Sequence, residues 1–293
     1  MIESVTLYNM VLLQSVTIDK KDSLFVLNEV DFGTVEGTHN SFKFINQVGE
    51  YIDSTTLESR SISISGWVIG ETESIIEQNR KTLNRLINPV HDIQLQVYDK
   101  YYLIFKPTSS IKYSRKYKEN NEVLCKFIIN GIASDPMFSL LSSLHKEANL
   151  VTPLFKFPLI IPASEGVVFG KKAQSLIVSF MNDGDIDTGM NITLTALSTV
   201  ENPVILNIQT REQLKINKTL TSGEVIEIST EHGRRYVKGR LNGVESNYFG
   251  YFDIDSDWIQ IHTGENNFQY NADSGVENLT VEIKFSPRYL EVE

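Results

Sequence analysis

Hydrophobic and polar residues alternate with period two along most of this chain. SRSISISGWVIG (59–70) places Ile62 and Ile64, together with Trp67, on one face with serines between them. IQLQVYD (93–99), YYLIFKP (101–107), VLCKFII (123–129), LIVSFM (176–181), NITLTAL (191–197), PVILNIQT (203–210), EVIEIST (224–230) and LTVEIKF (279–285) follow the same rule. Alternation of this kind, rich in β-branched and aromatic residues and punctuated by Gly, Asn and Asp, predicts half-buried strands joined by turns. The opening MIESVTLYNMVLLQS also reads as a strand. It carries an acid at position 3 and no basic segment ahead of its apolar residues, which is not the pattern of a secretory signal.

One segment changes period. In ETESIIEQNRKTLNRLINP (71–89), Ile75, Ile76, Leu83, Leu86 and Ile87 recur at helical spacing, with Asn79 interrupting the face. Ser74 with Glu77 fits a capping box, and Thr72 fits an N-cap equally well. Pro89 ends the helix, because its ring cannot follow a continuing turn. Glu77, Arg80, Lys81 and Arg85 supply the wet side of an amphipathic helix packed on a sheet. Strand alternation then lapses at SDPMFSLLSSLHKEANLVTPLFKFPLIIPAS (134–164), where prolines accumulate, and resumes near Leu176. This places a domain junction near residue 150, giving domains 1–150 and 151–293.

Composition narrows the class. The 293 residues are 41% hydrophobic and 22% charged, which is globular and not disordered. No run of about 18 apolar residues exists, so no membrane-spanning helix and no membrane partner are expected. A net charge of −10 argues against general nucleic-acid binding, which relies on clustered Lys and Arg. A single cysteine, Cys125, excludes an intrachain disulfide and reads as a buried strand residue.

Candidate chemistry is sparse. DIDSDWIQIH (253–262) sets three carboxylates beside a tryptophan, yet as a calcium loop it fails at the sixth position, Trp258, and at the twelfth, Gly264. Asp183, Asp185 and Asp187 fail likewise, with Thr188 and Leu194 at those places. A glycosidase would need two carboxylates facing each other across a cleft, whereas three acids on one element read as a solvated edge. There is no GxSxG, HExxH, GxxxxGK[ST] or GxGxxG motif. The expectation is therefore no catalytic residue, no metal, no cofactor and no enzyme. Lys100–Lys118, KYYLIFKPTSSIKYSRKYK, holds six basic residues and no acid. It reads as a β-hairpin whose Lys106, Lys112, Arg115, Lys116 and Lys118 either guard a sheet edge or pair with acids of a neighbouring copy. Trp258 could offer a saccharide a stacking face, although an aromatic on an alternating segment is more often core.

The order of these features resembles the distal tail proteins of long, flexible-tailed bacteriophages. RSISISGWVIG, the helix ending LNRLINP, a strand pair and a strand closing on ASDPMF come first. NDGDIDTGMNITL, SGEVIEISTEHGRRYV, SDWIQIHTGENNFQY and FSPRYLEV follow in the second half. The resemblance implies a mainly β, two-domain protein. Its first domain would be a ring-forming β-sandwich or belt with one helix and a β-hairpin. Its second would be a galectin-like or carbohydrate-binding-module-like β-sandwich. It further implies a homo-hexameric ring at the tail tip of a virion, phage or prophage, assembled from protein made in the bacterial cytoplasm. The ring would join the tail tube protein to the tail-associated lysin or fibre protein and let DNA pass through its lumen. An acidic surface suits passage of DNA without binding. The alternative reading is an adhesion module that recognises host wall polysaccharide, for which about 140 residues leave no room for a long inserted module.

Overall fold

The computed structural model describes residues 2–21, 24–46, 48–147, 150–153, 170–173 and 177–292. Much of the expected junction (148–149 and 154–169) and Leu176 lie outside the described residues. The chain forms two compact units, Met1–Leu141 with Tyr289–Glu293, and Ser142–Arg288. The first unit closes with the last residues of the chain, a pairing of ends that no linear boundary could express.

The first unit is built from β1 (Ser4–Asn9), β2 (Gln14–Asp19), β3 (Phe25–Asp31), β4 (Gly37–Phe42), β5 (Tyr51–Leu57), β6 (Arg60–Ile69), α1 (Glu73–Leu86), β7 (Ile93–Val97), β8 (Tyr101–Pro107), β9 (Lys112–Tyr113), β10 (Leu124–Ala133) and β11 (Phe138–Leu140). The expected sandwich is corrected to a barrel. Seven strands follow in the order β8-β7-β1-β2-β3-β6-β10, and β10 then pairs back onto β8 through Gly131↔Pro107 and Ile132↔Lys106. Closure removes the free edges a flat sheet would present. Two glycines make room for it. A Cβ on Gly131 would stand 2.2 Å from the Phe105 ring, and one on Gly66 would stand 2.6 Å from the Val26 carbonyl oxygen.

Inward residues obey the alternation: Ile62, Ile64 and Val68 of β6, Leu103 and Phe105 of β8, and Cys125, Phe127 and Ile129 of β10 share one core. Burial pushes the Cys125 thiol up, away from the reactive thiolate. Trp67 does not join Ile62 and Ile64. Odd and even strand positions face opposite ways, so its half-buried ring lies on the outer side, with the Lys126 ammonium 5.7 Å from its centre.

The helix starts at Thr72, whose hydroxyl accepts from the Ile75 N–H, which leaves Ser74 inside the first turn and no capping box at Ser74–Glu77. Ile76, Leu83, Leu86 and Ile87 are buried in the barrel core, while Ile75 is exposed. Asn79, the polar break in the apolar face, donates to the Ile69 carbonyl at the end of β6. Buried Asn9 ties the other end, donating to the Leu86 carbonyl at 2.6 Å. Fully buried Arg60 donates to the Leu290 carbonyl, faces Glu291 at 3.7 Å and lies over the Phe138 ring. That arginine seats the returning C-terminal residues on the first unit.

The second unit contains β12 (Leu144–Glu147), β13 (Leu150–Pro153), β14 (Gly170–Ala173), β15 (Ile177–Asn182), β16 (Asn191–Ala196), β17 (Val200–Glu201), β18 (Val204–Asn207), β19 (Gln213–Lys215), β20 (Thr219–Leu220), β21 (Val225–Ser229), β22 (Tyr236–Leu241), β23 (Val244–Asn247), β24 (Gly264–Asn271) and β25 (Leu279–Phe285). One sheet runs β12-β25-β16-β21-β22-β23 and a second runs β15-β24-β18-β19. Ile192, Ile226 and Ile283 of the first and Phe180, Ile205 and Phe268 of the second belong to one apolar cluster. Phe180 meets Phe285 edge-on across the layers at 5.4 Å. Two sheets sharing one core make a sandwich.

Candidate functional site

Three surfaces carry unusual side chains, and two of them were not expected from the sequence. The first is an arm. β4 and β5 pair only with each other, and every residue of both strands is exposed. An isolated two-stranded hairpin is marginal in water. Its free end is nevertheless apolar: Phe42 lies 5.0 Å from both Phe44 and Tyr51, and Ile45 and Val48 are 95% and 101% exposed. GTHNSF and YIDSTTL lack the clean apolar/polar alternation of a half-buried strand, so periodicity passes over them. The signal available was the run Phe42, Phe44, Ile45 around a polar turn.

The second surface is the basic segment. It is not one hairpin. Lys106 sits in the barrel wall on β8 and faces Asp92 at 3.4 Å. Lys112 lies on β9, which pairs with β10, and Arg115, Lys116 and Lys118 follow in an exposed loop with Tyr117, 84% exposed. The fold thus keeps four of the five basic residues together and sets Lys106 apart with its own counter-charge. Tyr113, between them, is pushed up to about 12 by burial. It lies against the Arg80 guanidinium at 4.3 Å, which fastens the segment to the helix.

The third surface is a cleft of about 520 Å³ on the second unit, lined by Arg235, Tyr236, Lys238, Glu245, Ser246, Asn247 and Phe249. Trp258 stands behind one wall. Its half-buried ring is stacked on Phe252 at 4.5 Å and on Phe249 at 6.1 Å, with the Arg235 guanidinium 5.4 Å from its centre. The ring presented at the mouth is Phe249, 52% exposed, not Trp258. Within DIDSDWIQIH, Asp253–Asp257 form a turn docked on β19, while Ile259 and Ile261 are buried in the core and Ile261 bridges to Thr188. Asp253 accepts from the Asp255 N–H and from Asn217, which together hold its carboxyl below the usual range, and Asp257 donates its N–H to the Gln213 carbonyl. Among the described residues no group of three His, Cys, Asp or Glu side chains is arranged to hold a metal ion.

A buried ion pair anchors the cleft. Glu224, fully buried, faces Lys218 at 2.8 Å and accepts from the Thr221 N–H and from Tyr248. Burial alone raises this carboxyl, but the bonds from Lys218, Thr221 and Tyr248 outweigh it and leave the group below its ordinary 4.5. Burial and the same carboxylate push Tyr248 up to about 12. The Tyr248 ring covers Gly239 of β22, where a Cβ would stand 2.0 Å from it. Glu224 therefore contributes stability that is present above its unfolded value of about 4.5 and lost as pH falls through the lower folded value. Glu224→Gln is expected to cost about 1–3 kcal/mol at pH 7 and clearly less at pH 3. Urea denaturation at the two pH values measures this; an equal loss at both would assign the cost to packing.

Comparison with known proteins gives the family. Residues 12–129 match the model of the phage tail protein RIFT-related domain, and residues 183–289 match that of the siphovirus-type tail component, C-terminal domain. The chain belongs to the siphovirus Dit family of phage tail components. The crystal structure of SPP1 Dit is 14% identical, with a TM-score of 0.64 over 97% of this chain and 98% of that one. A chain of the phage P2 baseplate in its activated conformation with Ca is 13% identical, with a TM-score of 0.51 over 100% of both chains. A chain of the same baseplate with Sr is 12% identical, with a TM-score of 0.51 over 98% of both. At these identities the likeness shows the fold, and it runs through both units of this Dit-family chain. No curated protein matches it by sequence. As a member of that family the protein is a structural component of a phage tail, built around a seven-strand barrel and a C-terminal β-sheet domain.

Proposed function

We propose that this Dit-family protein is the hub of the tail tip, a homo-hexameric ring that joins the tail tube to a tail-associated lysin or fibre and leaves a lumen for DNA. The observation that carries the reading is the arm of β4 and β5. Phe42, Phe44, Ile45, Val48, Tyr51 and Ile52 bring apolar surface to its end, a cluster that monomeric proteins rarely expose. Its occupant is a second copy of the chain. The barrel offers a different apolar patch to receive it: Leu24, Ile69, Ile75 and Val123 are all exposed. They are held together by the Ile69 N–H to Leu24 carbonyl bond and the Gly70 N–H to Val123 carbonyl bond. An arm meeting an unlike patch is a heterologous contact, which repeats from copy to copy and closes into a ring.

The SPP1 protein is described as a paradigm of the hub of the adsorption apparatus in phages that infect Gram-positive bacteria, and the P2 match is a baseplate. Both descriptions support a hub. Lys112, Arg115, Lys116 and Lys118 give the barrel an exposed basic loop on a chain of net charge −10, suited to meet acidic groups of the next copy. Sedimentation velocity and negative-stain images of the purified chain test the ring. Six-membered rings with an open centre are the expected result, destabilised at high salt if the basic loop takes part. A monomer across the micromolar range, alone and with its tail-tube protein, would remove the reading.

A further inference from the structure

We infer that the basic loop after β9 is a contact surface for single-stranded nucleic acid, its cations meeting backbone phosphates and Tyr117 stacking on an unpaired base. Every residue involved lies in the first unit of a single chain, so the proposal stands whether or not the copies close into a ring.

The loop gathers cations that the fold leaves without counter-charges. Lys112, Arg115, Lys116 and Lys118 are exposed, and half-buried Lys126 and Arg80 flank them. Lys106, set apart on β8, has Asp92, whereas no described carboxylate lies in ion-pair range of these others. The two flanking cations lie over rings instead, Arg80 at 4.3 Å from the centre of Tyr113 and Lys126 at 5.7 Å from that of Trp67. A ring orients a cation without cancelling its charge. Glu119, the acid at the end of the loop, is turned back onto the Ser114 hydroxyl at 2.6 Å. That bond, with Lys116 and Lys126 nearby, holds its carboxyl below the ordinary range. Glu122 is exposed, but it lies past the turn that closes the loop.

The loop is also held in shape. Both its ends are bonded to the backbone of Lys126, whose carbonyl accepts from the Ser114 N–H and whose N–H donates to the Glu119 carbonyl. Inside it the Glu119 N–H donates to the Lys116 carbonyl, and the Asn120 side chain donates to the Ser114 carbonyl. A surface already ordered in the free chain binds at a lower entropic cost. Tyr117 stands out from this frame, 84% exposed and part of neither apolar core. Cations for phosphates around one open aromatic ring for a base are the elements of a single-strand contact. An acidic protein surface satisfies the cations and gives the ring no flat partner, and a duplex hides its base faces in its own stack. The net charge of −10 is an average over the whole chain. Exposed charges are screened beyond about 8 Å at physiological salt, so the loop acts on what lies against it and the distant acids do not.

Fluorescence anisotropy of the full chain with labelled oligothymidylate of about 16 nucleotides tests this, with a blunt duplex of equal length and polyglutamate as comparators. The expected result is saturable binding to the single strand, about 10-fold tighter than to either comparator. Affinity should fall about 50-fold between about 50 and 200 mM salt, the dependence expected of about four phosphate contacts. Tyr117→Ser should weaken the single strand about 10-fold and leave the duplex unchanged, with unchanged circular dichroism. A Lys116→Ala, Lys118→Ala double variant should weaken both nucleic acids about 10-fold. Lys106→Ala, which removes the same kind of charge away from the loop, should change neither. Sedimentation velocity of these variants should give the parent's oligomeric state. No binding, a preference for duplex or polyglutamate, an unaltered affinity in Tyr117→Ser, or rings that fall apart in the Lys116→Ala, Lys118→Ala variant would each overturn the proposal. A parent chain that stays monomeric and still binds the single strand would remove the ring and leave this contact standing.

Discussion

A Phe44→Asp, Ile45→Asp double variant is expected to be a folded monomer under conditions where the parent chain forms rings. Both side chains stand at the free end of the arm, 61% and 95% exposed, where Phe44 meets the Phe42 ring of the same hairpin and neither belongs to the buried core of the barrel. Far-UV circular dichroism and the melting temperature should therefore match the parent. Burying a large apolar side chain contributes about 1.5–3 kcal/mol. Losing two such contributions removes about 3–6 kcal/mol per contact, or about 10²–10⁴-fold in affinity. Charges driven into an apolar contact add a further desolvation cost. In a closed ring the loss recurs at every interface, so dissociation should be complete at micromolar concentration. Sedimentation velocity measures it. Rings that persist in the double variant would show that the arm is not the contact, and a drop in melting temperature would show that it packs on its own chain. Val123→Asp, on the proposed receiving patch, should reproduce the monomer; a ring made of arm-to-arm contacts would ignore it.

Gly131→Ala is expected to be the most destabilising conservative change in the first unit. The new methyl would meet the Phe105 ring at 2.2 Å and the Lys106 carbonyl oxygen at 3.0 Å. Phe105 is 1% exposed and sits inside the packed barrel core, so it cannot swing into solvent. Overpacking of this kind costs about 3 kcal/mol at its upper end. For a domain of this size that lowers the melting temperature by about 6–12 °C. The effect should be confined to the first unit, and calorimetry resolves the two units if they melt separately. Phe105→Leu shortens the ring that the methyl strikes. In the double variant the Gly131→Ala cost should shrink, giving a coupling energy that a double-mutant cycle reads directly. Full additivity would mean that the methyl is accommodated elsewhere and that Gly131 does not govern closure.

Several elements were legible in the chain itself. The helix was readable because Ile76, Leu83 and Leu86 repeat with the helical period and Pro89 stops it, and it runs from Glu73 to Leu86. Strands such as Ile93–Val97, Asn191–Ala196 and Leu279–Phe285 were readable because period two is imposed by the strand's own geometry. DIDSDWIQIH was readable as a non-site, since Trp258 and Gly264 occupy the places where a calcium loop needs Gly and Glu. The arm escaped because a hairpin with no buried face leaves no apolar period to detect. The cleft escaped because its parts come from Arg235, Lys238, Ser246 and Phe249, which share no motif and meet only when β22 and β23 pair.

What sequence alone determined, then, depends on near neighbours: most of the strands, the presence of the helix and its stop before Pro89, and the order of features that marks the family. What only the tertiary structure decided depends on residues far apart in the chain. Closure of the barrel rests on Gly131 meeting Pro107, the C-terminal residues return to Arg60, and Trp258 stacks on Phe249. The physical reason is that period and turn chemistry act over a few residues. Sheet closure, burial of a lone arginine and exposure of one aromatic over another are settled by which surfaces the packed core leaves against one another and which it leaves to water.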